Sequence, residues 1–174
     1  MAPPPDPIAA AVKAYIRDRD AAVFERAMQQ ALARAHTAAY LRGLAERSVG
    51  GRVREFLARL VGWRALPEAL RAKLRDLLGA QLEYLRGFIA ALPDLSDAQI
   101  AARAGMYGGP TRTTYSTARF PDLPFQPGEG SECKGQCKCS WADNGDGTYT
   151  WKLGAAEHCA TCQTRASGSP YRPA

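Results

Sequence analysis

Apolar and polar positions follow different rhythms along this chain, and each change of rhythm marks a change of element. From Ile8 to about Arg47 there is no Pro, and no Gly before Gly43. Val12, Ile16, Val23, Ala27, Met28, Ala31 and Ala35 recur near helical spacing, which predicts one long helix, or two with a soft break. The stripe is built mostly of alanine, so a second helix can approach it closely. Gly50-Gly51 ends the segment. Val53, Phe56, Leu57, Leu60 and Val61 then form a short amphipathic stretch that must pack on something. After Gly62-Trp63, Pro67 sits at a first-turn position. It opens a helix whose Leu70, Leu74, Leu77, Leu78, Leu85, Phe88, Ile89 and Leu92 make one apolar face, and Pro93 closes it. Ser96 with Gln99 three residues later is a capping-box start for a short helix ending near Gly105.

The helical rhythm stops at about residue 107. Residues 107–132 mix Tyr107, Tyr115, Phe120 and Phe125 with Gly108-Gly109-Pro110, Pro121, Pro124 and Pro127-Gly128, and no period is sustained. The aromatic content predicts an arm that lies on a surface rather than a solvated linker. Residues 139–153 show the two-residue alternation of a hairpin. Cys139-Ser140-Trp141 leads into Asp143-Asn144-Gly145-Asp146-Gly147, and Thr148-Tyr149-Thr150-Trp151-Lys152-Leu153 returns. The expected architecture is mainly α. A proline-rich lead-in (1–7) precedes a helical domain (8–106), a long extended arm (107–132) and a small zinc-ribbon-like β-hairpin module (133–174).

Composition narrows the choices of partner. The net charge of +6 comes from 23 Lys/Arg against 17 Asp/Glu. Nearly all of the excess falls in residues 1–106, where the cations are almost all arginine, the residue suited to carboxylate and phosphate. A nucleic-acid partner is one reading. Solvated helix faces with ion pairs are the other, and the absence of any run of five like charges favours them. No apolar run approaches the roughly 18 residues of a membrane span. Met1-Ala2-Pro3-Pro4-Pro5-Asp6-Pro7 has neither the basic nor the apolar region of a secretory signal. Synthesis in a reducing cytoplasm is therefore expected, where clustered cysteines hold metal more often than disulfides.

All five cysteines lie within the last third: Cys133, Cys137 and Cys139 before the hairpin, and Cys159 and Cys162 after it. Ligand pairs at both ends of a ribbon whose ends must meet follow zinc-ribbon logic, in which a tetrahedron of thiolates cross-links the hairpin base. A module of roughly forty residues lacks the core to fold by burial alone. A structural zinc ion contributes on the order of 10–16 kcal/mol of apparent folding energy. Four of the five cysteines are expected as ligands, with His158 as a substitute for one, and paired disulfides stay open as an alternative. A thiol oxidoreductase using Cys159-x-x-Cys162 is weakly supported, because His158 is the one base near it and His36 lies far back in the helical part. Asp143-x-x-Asp146 lacks the ligand series and closing Glu of a calcium loop, and reads as a turn. Gly108-Gly109-Pro110-Thr111 and Gly128-Glu129-Gly130-Ser131 lack the Gly-Lys-Ser/Thr ending of a phosphate-binding loop. Lys134, Lys138 and Lys152 beside Trp141, Tyr149 and Trp151 resemble a nucleic-acid surface, with aromatics packed on the metal site as the preferred alternative.

Leu123-Pro124-Phe125-x-Pro127-Gly128-x-Gly130-Ser131-x-Cys133-x-Gly135-x-Cys137-x-Cys139-x-Trp141, then Trp151-x-Leu153-Gly154 and His158-Cys159-x-x-Cys162, resembles the C-terminal segment of tailed-bacteriophage virion proteins of the minor head or head-morphogenesis type. The resemblance covers roughly residues 105–174. It implies a structural virion component, encoded near the portal and present in several symmetric copies. Its implied partners are portal, capsid or neck proteins, with packaged DNA within reach. It implies no enzymatic activity, no small-molecule substrate and no membrane. The competing function is a zinc-ribbon nucleic-acid-binding protein that contacts DNA through arginine-rich helices.

Overall fold

The computed structural model describes residues 6–47, 68–133, 137–155 and 157–174. Gly50-Gly51, the Val53–Val61 stretch, Gly62-Trp63, Pro67 and most of the proline lead-in lie outside these residues, as do the side chains of Leu70, Leu74 and Leu77. The protein is mainly helical, with a small antiparallel hairpin near its C-terminus. Its contacts divide it into two compact units: residues 1–37 with 66–108, and residues 38–65 with 109–174.

The first unit is helix on helix. Helix α1 (Pro7–Asp18) starts where the Asp6 carboxylate accepts from the Ile8 amide at 2.9 Å and Pro7 occupies the first turn. It buries Ile8, Ala11, Val12 and Tyr15, one side of a 3.6-residue period. The soft break falls at Arg19-Asp20. Arg19 takes left-handed geometry (φ 54°) and its N–H closes on the Tyr15 carbonyl at 2.7 Å, while the Asp20 carboxylate accepts from Val23 N–H at 2.9 Å and caps the next helix. That break resets the helical phase. In helix α2 (Ala21–Arg47) the buried side is therefore Phe24, Met28, Ala31, Leu32 and His36, and Val23, expected on the apolar stripe, is 45% exposed.

Helix α3 (Glu68–Ala91) buries Leu78, Gln81, Leu85 and Phe88 and gives way at Pro93 to a short 3₁₀ turn, Leu92–Asp94. Helix α4 (Asp97–Gly105) opens with a complete capping box from Ser96 and Gln99. Tyr15, Phe24, Phe88 and Tyr107 run as an aromatic chain through this core, with ring centroids 5.0, 5.9 and 5.9 Å apart. Tyr107 thus lies on the helical core.

The second unit contains the rest of α2 from Ala38, and its residues 109–132 differ from the extended arm expected for 107–132. Thr111–Arg119 is a helix, α5, with Thr114, Ser116 and Ala118 buried. The threonines that weaken its propensity turn their hydroxyls onto nearby carbonyls, as Thr117 does on Thr113 at 2.9 Å. Tertiary contacts complete it: Glu46 on α2 accepts from Tyr115 and Arg119, and Arg47 pairs with Asp122 at 3.2 Å. Residues 120–132 continue as turns laid over the hairpin, where Trp141 Nε1 donates to the Phe125 carbonyl at 3.0 Å.

Strands β1 (Ser140–Asp143) and β2 (Tyr149–Lys152) pair with Trp141 opposite Trp151. Gly145 and Gly147, both at φ 80°, make the turn, and the side chains of Asp143 and Asp146 accept from the backbone N–H groups of Gly145 and Thr148 at 2.8 and 2.9 Å. The expected turn is therefore what these carboxylates build. Helix α6 (Ala160–Ser167) follows, and Tyr171 then bridges back to Tyr149.

Candidate metal centre

The sulfurs arrive from three directions. Cys133 ends the turns of residues 120–132, Cys137 and Cys139 lead into β1, and Cys159 and Cys162 stand at the start of α6, with Cys159 as its N-cap. Gly154 permits the convergence. A Cβ there would stand 2.5 Å from the carbonyl oxygen of Lys138, so only a glycine lets the chain leaving β2 pass under the Cys137–Cys139 segment.

All five cysteines are free thiols. The Cys133 and Cys159 sulfurs are 3.7 Å apart, those of Cys133 and Cys162 3.7 Å, and those of Cys137 and Cys162 3.8 Å. Disulfide sulfurs stand about 2.05 Å apart, whereas a tetrahedral centre with metal–sulfur bonds of about 2.3 Å has sulfur–sulfur edges of about 3.8 Å. The spacing fits the second arrangement. Two triads, Cys133/Cys159/Cys162 and Cys137/Cys139/Cys162, each have all sulfurs within 4.8 Å of one another, and either could hold a metal ion. His158 Nδ1 lies 3.9 Å from Cys139 Sγ. The six donors named from sequence are thus brought together, and Ser131 is an addition, its hydroxyl 3.3 Å from Cys133 Sγ. No spacing signal marks Ser131.

Electrostatics differ from one sulfur to the next. The Cys162 amide N–H, at the start of α6, holds the Cys159 thiol down to about 7, so Cys159 is the thiolate most available to an incoming cation. Burial pushes Cys162 well above the ordinary thiol range, and raises Cys133 as well. A deeply buried thiol of that kind ionises when a cation replaces its proton.

Around the sulfurs lies an aromatic shell. Phe125 has Trp141, Trp151 and Tyr171 at 5.0, 5.1 and 5.2 Å, and the Arg165 guanidinium covers its face at 4.1 Å. Trp141 and Trp151 are buried with the cysteines in one cluster. The hairpin aromatics therefore pack against the candidate metal site, and Lys138 and Lys152 remain exposed. Set against protein-family models, curated proteins and solved structures, the chain matches none.

Among the described residues no helix is long and apolar enough to cross a membrane. Some arginines of the helical segments face carboxylates: Arg19 reaches Asp97 at 2.6 Å, Arg42 reaches Glu46 at 3.0 Å, and Arg119 also meets Glu46.

Proposed function

We propose that this chain is a non-catalytic structural component of a tailed-phage particle, of the minor head or portal-associated kind. Its C-terminal unit is clamped by structural zinc and serves as the contact piece toward portal, capsid or neck subunits, with several symmetric copies per virion. The observation that carries the clamp is the convergence of five thiols from three segments at tetrahedral-edge spacing. Thiolate and imidazole donors in tetrahedral disposition select zinc among the common divalent ions. A catalytic zinc keeps one coordination position open, whereas donors here outnumber the positions of one ion, which favours a closed structural centre. The place in a virion rests on the resemblance of residues 105–174 to phage head proteins. A proline-rich lead-in and alanine-rich helices suit assembly by repeated weak contacts.

Two other readings have less behind them. Base stacking needs exposed rings, and Trp141 and Trp151 are 6% and 2% exposed. A thiol oxidoreductase would exploit the lowered Cys159, yet Cys133 crowds that sulfur at 3.7 Å in the geometry of a ligand set.

The test is co-sedimentation of the purified chain with portal and capsid protein, with and without a zinc chelator. The proposal expects zinc-dependent association at a fixed stoichiometry. A chain that ignores both partners, or binds them equally well without zinc, contradicts it. Binding to DNA that weakens steeply with salt would instead support the nucleic-acid reading.

A further inference from the structure

One tetrahedral ion leaves two donors without a role, and the geometry gives them one. The six donors sort into three pairs. Cys133 and Cys159 form one outer pair, their sulfurs 3.7 Å apart. Cys139 and His158 form the other, with Nδ1 3.9 Å from Sγ. Between them lie Cys137 and Cys162, 3.8 Å apart and both buried. Cys162 belongs to both sulfur triads, and Cys133 also faces Cys137. Either outer pair, taken with the central pair, supplies four donors, of which three on each side, Cys133/Cys159/Cys162 and Cys137/Cys139/Cys162, stand within 4.8 Å of one another.

We propose that the centre holds two zinc ions, bridged by the thiolates of Cys137 and Cys162. Cys133 and Cys159 complete the first ion's shell, and Cys139 and His158 complete the second's. The inference rests on the metal clamp proposed above. Each thiolate sulfur has lone pairs enough to bind two cations, so six donors supply the eight positions that two tetrahedral ions require. His158 and Cys159 are neighbours in sequence, and side chains of adjacent residues diverge. Here that divergence is useful, because one serves each ion. Charge favours the second ion too. Four thiolates around a single dication leave a net charge of about −2 beside a buried aromatic shell, whereas five thiolates and two dications leave about −1.

The test uses the full chain, stripped of metal, reconstituted with zinc alone and weighed intact by native mass spectrometry. Wild type is expected to carry two zinc ions per chain. Cys139→Ser and Cys159→Ser, which change opposite outer pairs, are each expected to carry one. A single zinc in wild type, unaffected by Cys139→Ser, overturns the two-ion centre and leaves the clamp standing. No zinc at all overturns both. A variant that fails to fold gives no count, so cadmium-substituted wild type provides a second readout. Two mutually coupled cadmium resonances are expected, and a single resonance contradicts the bridge.

Discussion

At Gly43 a methyl group would stand 2.4 Å from the carbonyl oxygen of Tyr115 and 2.8 Å from Ala118 Cβ, so α2 and α5 cross at backbone distance. Alanine is the better helix former by about 1 kcal/mol, and overpacking costs roughly 1–3 kcal/mol. The clash is with backbone that cannot rotate away, so Gly43→Ala is expected to lower the denaturation midpoint of the second unit. A raised midpoint would contradict the crossing. His36 makes the other argument at this scale. It is buried, its Nε2 shares a hydrogen bond with Gln81 Oε1 at 2.9 Å, and burial lowers its pKa below the ordinary 6.5. The native state thus resists the proton that the unfolded chain accepts. The stability His36 contributes is complete above about pH 6.5 and is lost as pH falls from there through the lowered native value. His36→Gln should flatten that part of the pH–stability curve relative to wild type. Equal slopes in the two proteins would rule the assignment out.

Elements differed in how plainly the sequence announced them. The Ser96–Gln99 capping box, the Asp143–Gly147 turn and the hairpin around it are local chemistry, legible one segment at a time. Helix α5 was not, because a threonine-rich stretch after Gly108-Gly109-Pro110 has poor intrinsic propensity, and Glu46, far away in sequence, supplies its partners. Helix α6 is too short to show a period. Val23 falls outside the core that Met28 and Ala31 enter, because a break made by Asp20, with neither Gly nor Pro present, does not show in the spacing of apolar residues. At the candidate metal centre the spacing singled out the five cysteines and His158, which lie near one another, yet it could not say which face which, since that depends on how α6 meets β1. Ser96→Ala removes a cap whose loss typically costs about 1 kcal/mol. Amide exchange should quicken in the first turn of α4, and unchanged exchange there would deny the capping box any energetic weight.

On the scale of the whole molecule the two units draw on different physics. The first is held by conventional burial around Phe24, Leu32, Leu85, Phe88 and Ile100, each almost fully enclosed. Among the described residues, the hairpin end of the second has few large aliphatic side chains. The core there is Leu123, the aromatic shell and the cysteines themselves, with Phe120 and Phe125 contributed by the segment before the hairpin. A two-stranded hairpin is marginal in water, so in the proposed reading thiolate coordination is what makes this assembly cooperative. Metal removal should therefore act on one unit and spare the other. Hydrogen exchange of the purified full chain, with and without a strong zinc chelator, measures this directly. The account predicts that peptides covering Ser140–Lys152 and Ala160–Ser167 lose their protection when zinc is removed and regain it when zinc is restored, while α1 and α4 keep theirs. Protection in the hairpin and α6 that is indifferent to the chelator would contradict it.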